Sequence, residues 1–375
     1  MKRIAIITFH RTNNYGAALQ SYALQHVLSN KYKAEILDYR NTYLEGLYLQ
    51  NEVSIKTKIH KLVRRIIYPV RTRQLDKRKE RFTNFYTQYH VLSEKIYDKN
   101  NITSANECFD LFVAGSDQVW NLHLSRGDWN YFLEFAPPCK RYSYAASIGI
   151  NNNGQEKERI RNNLNQFQSI LVREKKAVSF LSDIGVDKVV TAVCDPVFLL
   201  SAKEWKKILP DARFRASPKY ILLYTVANVN KSLEIAKRLA YEKNLVVISI
   251  GSNQSIKTVS GVENILSAGP IEFLEYIRNA DYVVTSSFHA LAFSIIFNVP
   301  FYYELCKDGS NNNERLENVA NIFNLKDREI VGDGQMIQTN NIDWKKVNLV
   351  LDNYRQNSRE ILFNSLMDEE GDKDA

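Results

Sequence analysis

Residues 281–301 read DYVVTSSFHALAFSIIFNVPF, and the fold is decided there. Tyr282, Val283 and Val284 form a short apolar strand. Thr285, Ser286 and Ser287 follow as hydroxyl residues suited to capping a helix. Residues 288–297 make an apolar helix, and Val299-Pro300-Phe301 opens the next strand. Strand, helix, strand is the repeat of a parallel sheet. His289 therefore falls at or just inside a helix N-terminus, at the carboxyl end of a parallel strand. Open α/β sheets bind ligands at that place, and unpaired N–H groups with the helix dipole favour an anion. His289 equally fits a polar side chain satisfied at the junction, so both readings stand on the residues alone.

The same alternation runs outward in both directions. Strand 3–9, a polar loop at 10–16, helix 17–30 and strand 34–38 open the chain. FDLFVA at 109–114 is a continuous apolar strand closed by Gly115, as expected of a sheet covered on both faces. Strands at 141–147 and 220–226, each followed by helical stretches, continue the pattern, and Pro270 opens another helix. The reading is a doubly wound α/β fold with parallel sheets in two similar halves and a cleft between them. The first half is expected to span 1–211 with a basic helical insert at about 54–92, and the second 212–343. A helix at 344–367 is long enough to cross back onto the first half, ahead of a frayed acidic tail at 368–375.

With 375 residues, 45% hydrophobic and 25% charged, the composition is that of a globular enzyme with material for two cores. Cys108, Cys139, Cys194 and Cys306 form no CxxC pair and read as free thiols in a reducing cytosol. No secretory leader and no run long enough to span a bilayer is read. The net charge of +8 is concentrated at 56–81, which holds eleven basic and two acidic residues. Ile59, Leu62, Val63, Ile66 and Ile67 recur there at helical spacing, and a second helical stretch carries Phe82, Phe85 and Tyr89. A solvated basic surface and peripheral contact with anionic lipid head groups both fit. Nucleic acid does not, because no stacking platform or binding motif accompanies the charge.

Three further strand ends carry chemistry. In Thr12-Asn13-Asn14-Tyr15-Gly16, Gly16 permits close backbone approach and Asn14 offers a donor and an acceptor, with Gln20 one turn into the helix. The pattern is not GxGxxG, so no dinucleotide cofactor is indicated. Ser116-Asp117-Gln118-Val119-Trp120 groups a carboxylate, amides and an indole, a set that suits a sugar: Asp117 can accept from hydroxyls and Trp120 can pack on a sugar face. Arg173 ends a strand and is suited to bidentate recognition of a carboxylate or phosphate, or to pairing with Glu174 or another acid. No metal-ligand spacing is present, and His10, His26, His60, His90 and His123 lack a catalytic context.

The ordered set ITFHRTNNYGAALQSYAL, FDLFVAGSDQVWN, YAASIG, LVREK, CDPVFLL, FLEYIRNADYVVTSSFHALAFSIIFNVPF and ERLENVANIFNL resembles the polysaccharide pyruvyl transferase family over most of the chain. The resemblance implies two Rossmann-like domains similar to GT-B glycosyltransferases. It also implies transfer of the pyruvyl group of phosphoenolpyruvate onto a sugar, such as galactose or N-acetylmannosamine, of a cell-surface polysaccharide or its lipid-linked precursor. A pyruvate ketal forms and phosphate leaves, with no cofactor and no metal. On this reading His289 is the general acid and Asp117 orients or deprotonates the acceptor hydroxyl. Asn14, Tyr15, Gly16, Gln20, Ser116, Gln118 and Trp120 line the acceptor side. Arg173, Thr285, Ser286 and Ser287 hold the donor, with Lys307 or Arg315 as a second cation. Several branches of the family have an arginine two residues before the histidine, where this chain has Ser287. A nucleotide-sugar glycosyltransferase and a non-catalytic scaffold of a glycan-assembly complex are the alternatives.

Overall fold

The computed structural model describes residues 1–44, 67–149, 156–210, 219–226, 231–251, 260–306, 311–332 and 341–367. The chain divides into two units, one of residues 1–51, 86–200 and 353–375, the other of 52–85 and 201–352.

In the first unit β1 (Arg3–Ile7), α1 (Tyr15–Leu28), β2 (Lys33–Ile36), β3 (Leu111–Ala114) and β4 (Arg141–Ser143) build a four-stranded parallel sheet in the order β2-β1-β3-β4. Single bridges at Tyr142–Ser169 and Ala146–Val172 lead on to the parallel pair β5 (Ile170–Val172) and β6 (Val190–Ala192). Ile4 to Ile7 and Leu111 to Ala114 are buried throughout, as strands covered on both faces must be. α1 starts where Asn14 accepts the Ala17 N–H at 3.2 Å.

The second unit holds β7 (Tyr220–Tyr224), β8 (Val246–Ile250), β9 (Val262–Ile265), β10 (Tyr282–Thr285) and β11 (Phe301–Tyr303), all parallel, in the order β11-β10-β7-β8-β9. From β9, that is third, second, first, fourth, fifth by position in the chain. Its switch point lies between β7 and β10, and that of the first unit between β1 and β3. Leu291, Ala292, Phe293 and Ile295 of the helix Phe288–Phe297 are fully buried, and Asn298 stops it in the left-handed region at φ 57°.

Two boundaries differ from those the sequence suggested. The division falls after Leu200 rather than 211, because Trp205 packs edge-on against Phe293 with ring centroids 5.0 Å apart. The helix Pro69–Tyr89 is assigned to the second unit as far as Phe85, not to the first. Arg78 donates to the Gly251 carbonyl at 2.7 Å, Arg81 to the Ser267 carbonyl at 2.9 Å, and Gln74 accepts from the Leu266 N–H. Gly269 admits this helix, since a Cβ there would stand 2.5 Å from the Arg81 Cβ. The expected apolar stripe Ile59, Leu62, Val63 and Ile66 lies outside the described residues, and Ile67 is exposed. From Asn353 onward the helix Trp344–Leu366 is assigned to the first unit. There Arg355 donates to the Phe198 carbonyl, and Ser358 Oγ accepts the Cys194 N–H.

Candidate functional site

Further helices are labelled α2 (Pro69–Tyr89), α3 (Lys157–Leu164), α4 (Lys175–Asp183), α5 (Ala202–Lys206), α6 (Lys231–Lys243), α7 (Pro270–Arg278), α8 (Phe288–Phe297), α9 (Asn311–Ile322) and α10 (Trp344–Leu366).

At the switch point of the second unit, the Thr285 hydroxyl donates to the Tyr224 carbonyl and accepts the Ser287 N–H at 2.9 Å. Ser286 Oγ accepts the Val226 N–H at 3.1 Å. These two hydroxyls tie β10 to the end of β7 and set the turn into α8. They are buried, and their expected donor-binding role gives way to this scaffolding one. Ser287 is the N-cap of α8 and makes no side-chain capping bond among the described residues. His289, second in the helix, is half-buried with its ring edge-on to Phe288 at 5.0 Å.

The other helix start at this switch point is closed. Glu304, buried just past β11, accepts the N–H groups of Lys231 and Ser232 and the Ser232 hydroxyl, the last at 2.7 Å. The carboxylate takes the place an anion would occupy at the start of α6. Arg315, on α9, is half-buried, and Lys307 lies outside the described residues.

At the switch point of the first unit the Thr8 hydroxyl donates to the Ser116 carbonyl and accepts from Gln20 Nε2, both at 3.0 Å. Ser116 Oγ donates to the Ala145 carbonyl. Gly115 has φ 118°, and a Cβ there would stand 2.3 Å from the Tyr144 oxygen, so no other residue fits. Asp117 follows in the left-handed region at φ 72°, a position a short polar side chain tolerates. It is half-buried, and Oδ1 accepts the Gln118 N–H. Asn14, exposed, and Gln118, half-buried and bonded to Asn121, also reach this edge.

Trp120 does not serve as a sugar platform. It is fully buried, its indole N–H donates to the Tyr131 carbonyl at 3.1 Å, and its ring stacks on Phe132. Tyr15, Gly16, Gln20 and Ser116 are buried too, and they shape the edge from below. Arg173 presents no open fork: Nε bonds Glu174 at 2.8 Å and Nη1 bonds Asp195 at 2.9 Å. Burial alone would lower this guanidinium's pKa, but Glu174, Asp195 and then Asp117 raise it, so it stays charged. Arg173 thus lies within electrostatic reach of Asp117 in the first unit, whereas His289 lies in the second.

A cluster not anticipated from the sequence surrounds Asp38, just past β2. Arg11 bonds both carboxylate oxygens at 2.7 Å, and Arg40 bonds one at 3.0 Å. His10 donates from Nδ1 to the Thr8 carbonyl and brings Nε2 within 3.6 Å of Asp38. Burial would raise the Asp38 pKa, yet the bonds from His10 and Arg11 hold it well below the usual carboxylate range. The only local signal is His10-Arg11 directly after a strand, since Asp38 is 27 positions from Arg11. Among the described residues no group of His, Cys, Asp and Glu is placed to hold a metal, and no helix is long and apolar enough to cross a membrane.

A family model described as polysaccharide pyruvyl transferase matches residues 14–303. No curated protein matches in sequence. The UDP-GlcNAc 2-epimerase from Methanocaldococcus jannaschii is similar in structure, with 13% identity and TM-score 0.53, over 98% of this chain and 100% of that one. The Neisseria meningitidis enzyme of that name, bound to UDP-GlcNAc, gives 11% identity and TM-score 0.52, over 98% and 99%. At such identity the likeness is of fold, and the chain shares the GT-B-type α/β fold with parallel sheets.

Proposed function

The chain belongs to the polysaccharide pyruvyl transferase family, and on that premise we propose that it moves the pyruvyl group of phosphoenolpyruvate onto a sugar of a cell-surface polysaccharide or its lipid-linked precursor. The observation that carries this reading is the start of α8: its N-cap makes no side-chain capping bond among the described residues, a histidine is its second residue, and the neighbouring anion position on α6 is filled by Glu304. A small, strongly anionic donor suits one such helix start. The methylene carbon of phosphoenolpyruvate takes up a proton. Two sugar hydroxyls then bond the former enol carbon, the C–O bond to phosphate breaks, and one hydroxyl proton leaves with phosphate while the other replaces the proton consumed. His289 is the proton donor to the methylene carbon or to the departing phosphate. Asp117, within electrostatic reach of Arg173, orients or deprotonates the acceptor hydroxyl. The scheme needs no cofactor, because backbone N–H groups and a guanidinium can balance the phosphate charge.

A lipid-linked acceptor would bring the enzyme to the anionic inner face of a membrane. The exposed side chains of Arg71, Arg73, Lys77 and Lys79 on α2 support such peripheral contact. Phosphate release from phosphoenolpyruvate, measured against a panel of lipid-linked sugars, tests the transfer. Release of a nucleoside diphosphate from a nucleotide sugar, with phosphoenolpyruvate inert, would replace it with glycosyl transfer. Neither release would favour the scaffold.

A further inference from the structure

We propose that Asp117 and Gln118 together read two neighbouring hydroxyls of the acceptor sugar, the first as a donor and the second as an acceptor, with Asn121 as the positioning residue that sets this pattern; the assignment rests on the transfer reading above. The Leu124 N–H can only donate. It donates to Asn121 Oδ1 at 3.3 Å, which makes Asn121 the N-cap of the short helix Leu122–Ser125. The other end of that amide is then Nδ2, a donor, and it bonds Gln118 Oε1 at 3.0 Å. The Gln118 amide is fixed in turn: its oxygen faces Asn121, and its NH2 group faces away. One obligatory backbone donor thus orients two side-chain amides in series.

The backbone holds this relay in place. Gly149 has φ 59°, and a Cβ there would stand 2.4 Å from Asn121 Nδ2, so only glycine lets the chain lie against that amide. The Gln118 carbonyl accepts the Asn121 N–H at 3.0 Å, and the Asp117 carbonyl accepts the Ser147 N–H at 2.9 Å. Asp117 Oδ1 accepts the Gln118 N–H at 2.8 Å, and Oδ2 makes no hydrogen bond among the described residues. Both residues are half-buried at the carboxyl end of β3, where an α/β sheet meets its ligand. The edge therefore sets a carboxylate oxygen, which only accepts, beside an NH2 group, which only donates. Two neighbouring hydroxyls match it, one donating to Asp117 and the other accepting from Gln118. Ketal formation uses two hydroxyls of one sugar, so a site that reads a pair at once selects acceptors able to complete the reaction.

Saturation-transfer NMR titration decides it, with methyl galactoside, methyl N-acetylmannosaminide and the mono-deoxyfluoro analogues of each as probes. Wild type, Asn121→Asp and Gln118→Glu are compared, with thermal midpoints for each. Fluorine is close to a hydroxyl in size, accepts weakly and donates nothing. In wild type, fluorine at the position facing Asp117 should weaken binding about ten- to hundredfold, while fluorine at its neighbour, facing Gln118, is tolerated. Asn121→Asp keeps the cap, because a carboxylate also accepts the Leu124 N–H. Its second oxygen cannot donate, so the Gln118 amide turns and presents its oxygen to the sugar. The tolerated analogue should then lose about tenfold or more with an unchanged thermal midpoint. Gln118→Glu should do the same, since its second oxygen replaces the NH2 group. A merely structural Asn121 would move the midpoint and leave the fluorine pattern alone. Neighbouring analogues that behave alike in wild type overturn the assignment, as does a wild-type pattern in Asn121→Asp. If Asn121→Asp does not fold, Gln118→Glu decides: an unchanged pattern overturns the assignment. A wild type that binds neither glycoside also overturns it. The expected pattern, together with no phosphate release from phosphoenolpyruvate on any acceptor, overturns the pyruvyl donor but keeps the reading of paired hydroxyls.

Discussion

The two switch points use one device and differ in how they handle charge. In each, a threonine at a strand end ties its strand to the neighbour across the switch: Thr8 to the Ser116 carbonyl past β3, and Thr285 to the Tyr224 carbonyl of β7. Around Thr8, charges are matched within the protein. Asp38 is met by Arg11, Arg40 and His10, and Arg173 by Glu174 and Asp195. Around Thr285 the acid, Glu304, is bound to α6, and α8 begins with no side-chain cap among the described residues. A charge-matched edge rich in amides and hydroxyls suits a neutral, polyhydroxylated acceptor, and an uncapped helix start suits an anion. Topology gives the place where ligands bind; the side chains give the kind of ligand.

The sharpest way to break this contrast is at His289. His289→Ala should cut turnover about a hundredfold or more with an unchanged thermal midpoint, because in the proposed scheme the half-buried ring supplies a proton rather than core packing. Phosphate release assays on a confirmed acceptor check it, and near-wild-type turnover would remove the second unit's catalytic role. In the first unit the corresponding large effect is on stability. Gly115→Ala sets a Cβ against the Tyr144 carbonyl at φ 118°, and such strain costs roughly 1–3 kcal/mol or more. A fall in the denaturation midpoint together with lost acceptor turnover is expected, since Asp117 lies two residues on.

Those two positions also mark what the sequence reveals and what it hides. The β10–α8 block was legible because every cue was local: buried Val283 and Val284, a hydroxyl turn, an apolar helix, and Asn298 before Pro300. β9 was not, because Glu263 and Asn264 give an edge strand no apolar pattern. The allegiance of α2 was hidden for another reason. It is fixed by bonds such as Arg78 to Gly251 that link residues 173 positions apart, and no local pattern encodes them. Trp120 misled because an indole at a strand end reads alike whether it faces a sugar or Phe132. Arg173 could be narrowed to two roles from its type and place, and only the carboxylates on its two sides chose between them.

Replacing either threonine sharpens the comparison. Thr8→Val leaves the buried Ser116 carbonyl and one Gln20 N–H without a bond; Thr285→Val takes one of two bonds from the Tyr224 carbonyl, which keeps the Ser286 N–H, and removes the acceptor of the Ser287 N–H, a loss of about 1–3 kcal/mol in either case. Similar losses in chemical denaturation are expected. Only Thr285→Val should also weaken phosphoenolpyruvate binding, because its hydroxyl positions the Ser287 N–H at the start of α8. Equal weakening by Thr8→Val would erase the proposed division into a donor side and an acceptor side.

The smallest effect separates the edges by pH. His90, beside the first switch point, is buried, and its Nε2 lies 3.2 Å from Ser21 Oγ. Burial first, and then the positive field of His10, lowers its pKa from 6.5 to about 3. A histidine lowered in the folded state stays neutral while the unfolded chain takes up a proton. The unfolded state therefore binds more protons between about pH 6.5 and 3, and stability falls as the pH drops through that window. One proton changes stability by at most about 1.4 kcal/mol per pH unit. Asp38 acts in the same direction but only in stronger acid, because its depressed pKa gives stability that is present above the ordinary carboxylate value and lost below it. Amide exchange in the first unit, followed from pH 7 to pH 5, should show progressive loss of protection in α1. His90→Gln, which keeps a hydrogen-bonding side chain and does not titrate, should flatten that slope while leaving the α8 amides of the second unit unchanged. A slope that persists in His90→Gln would place the acid sensitivity elsewhere.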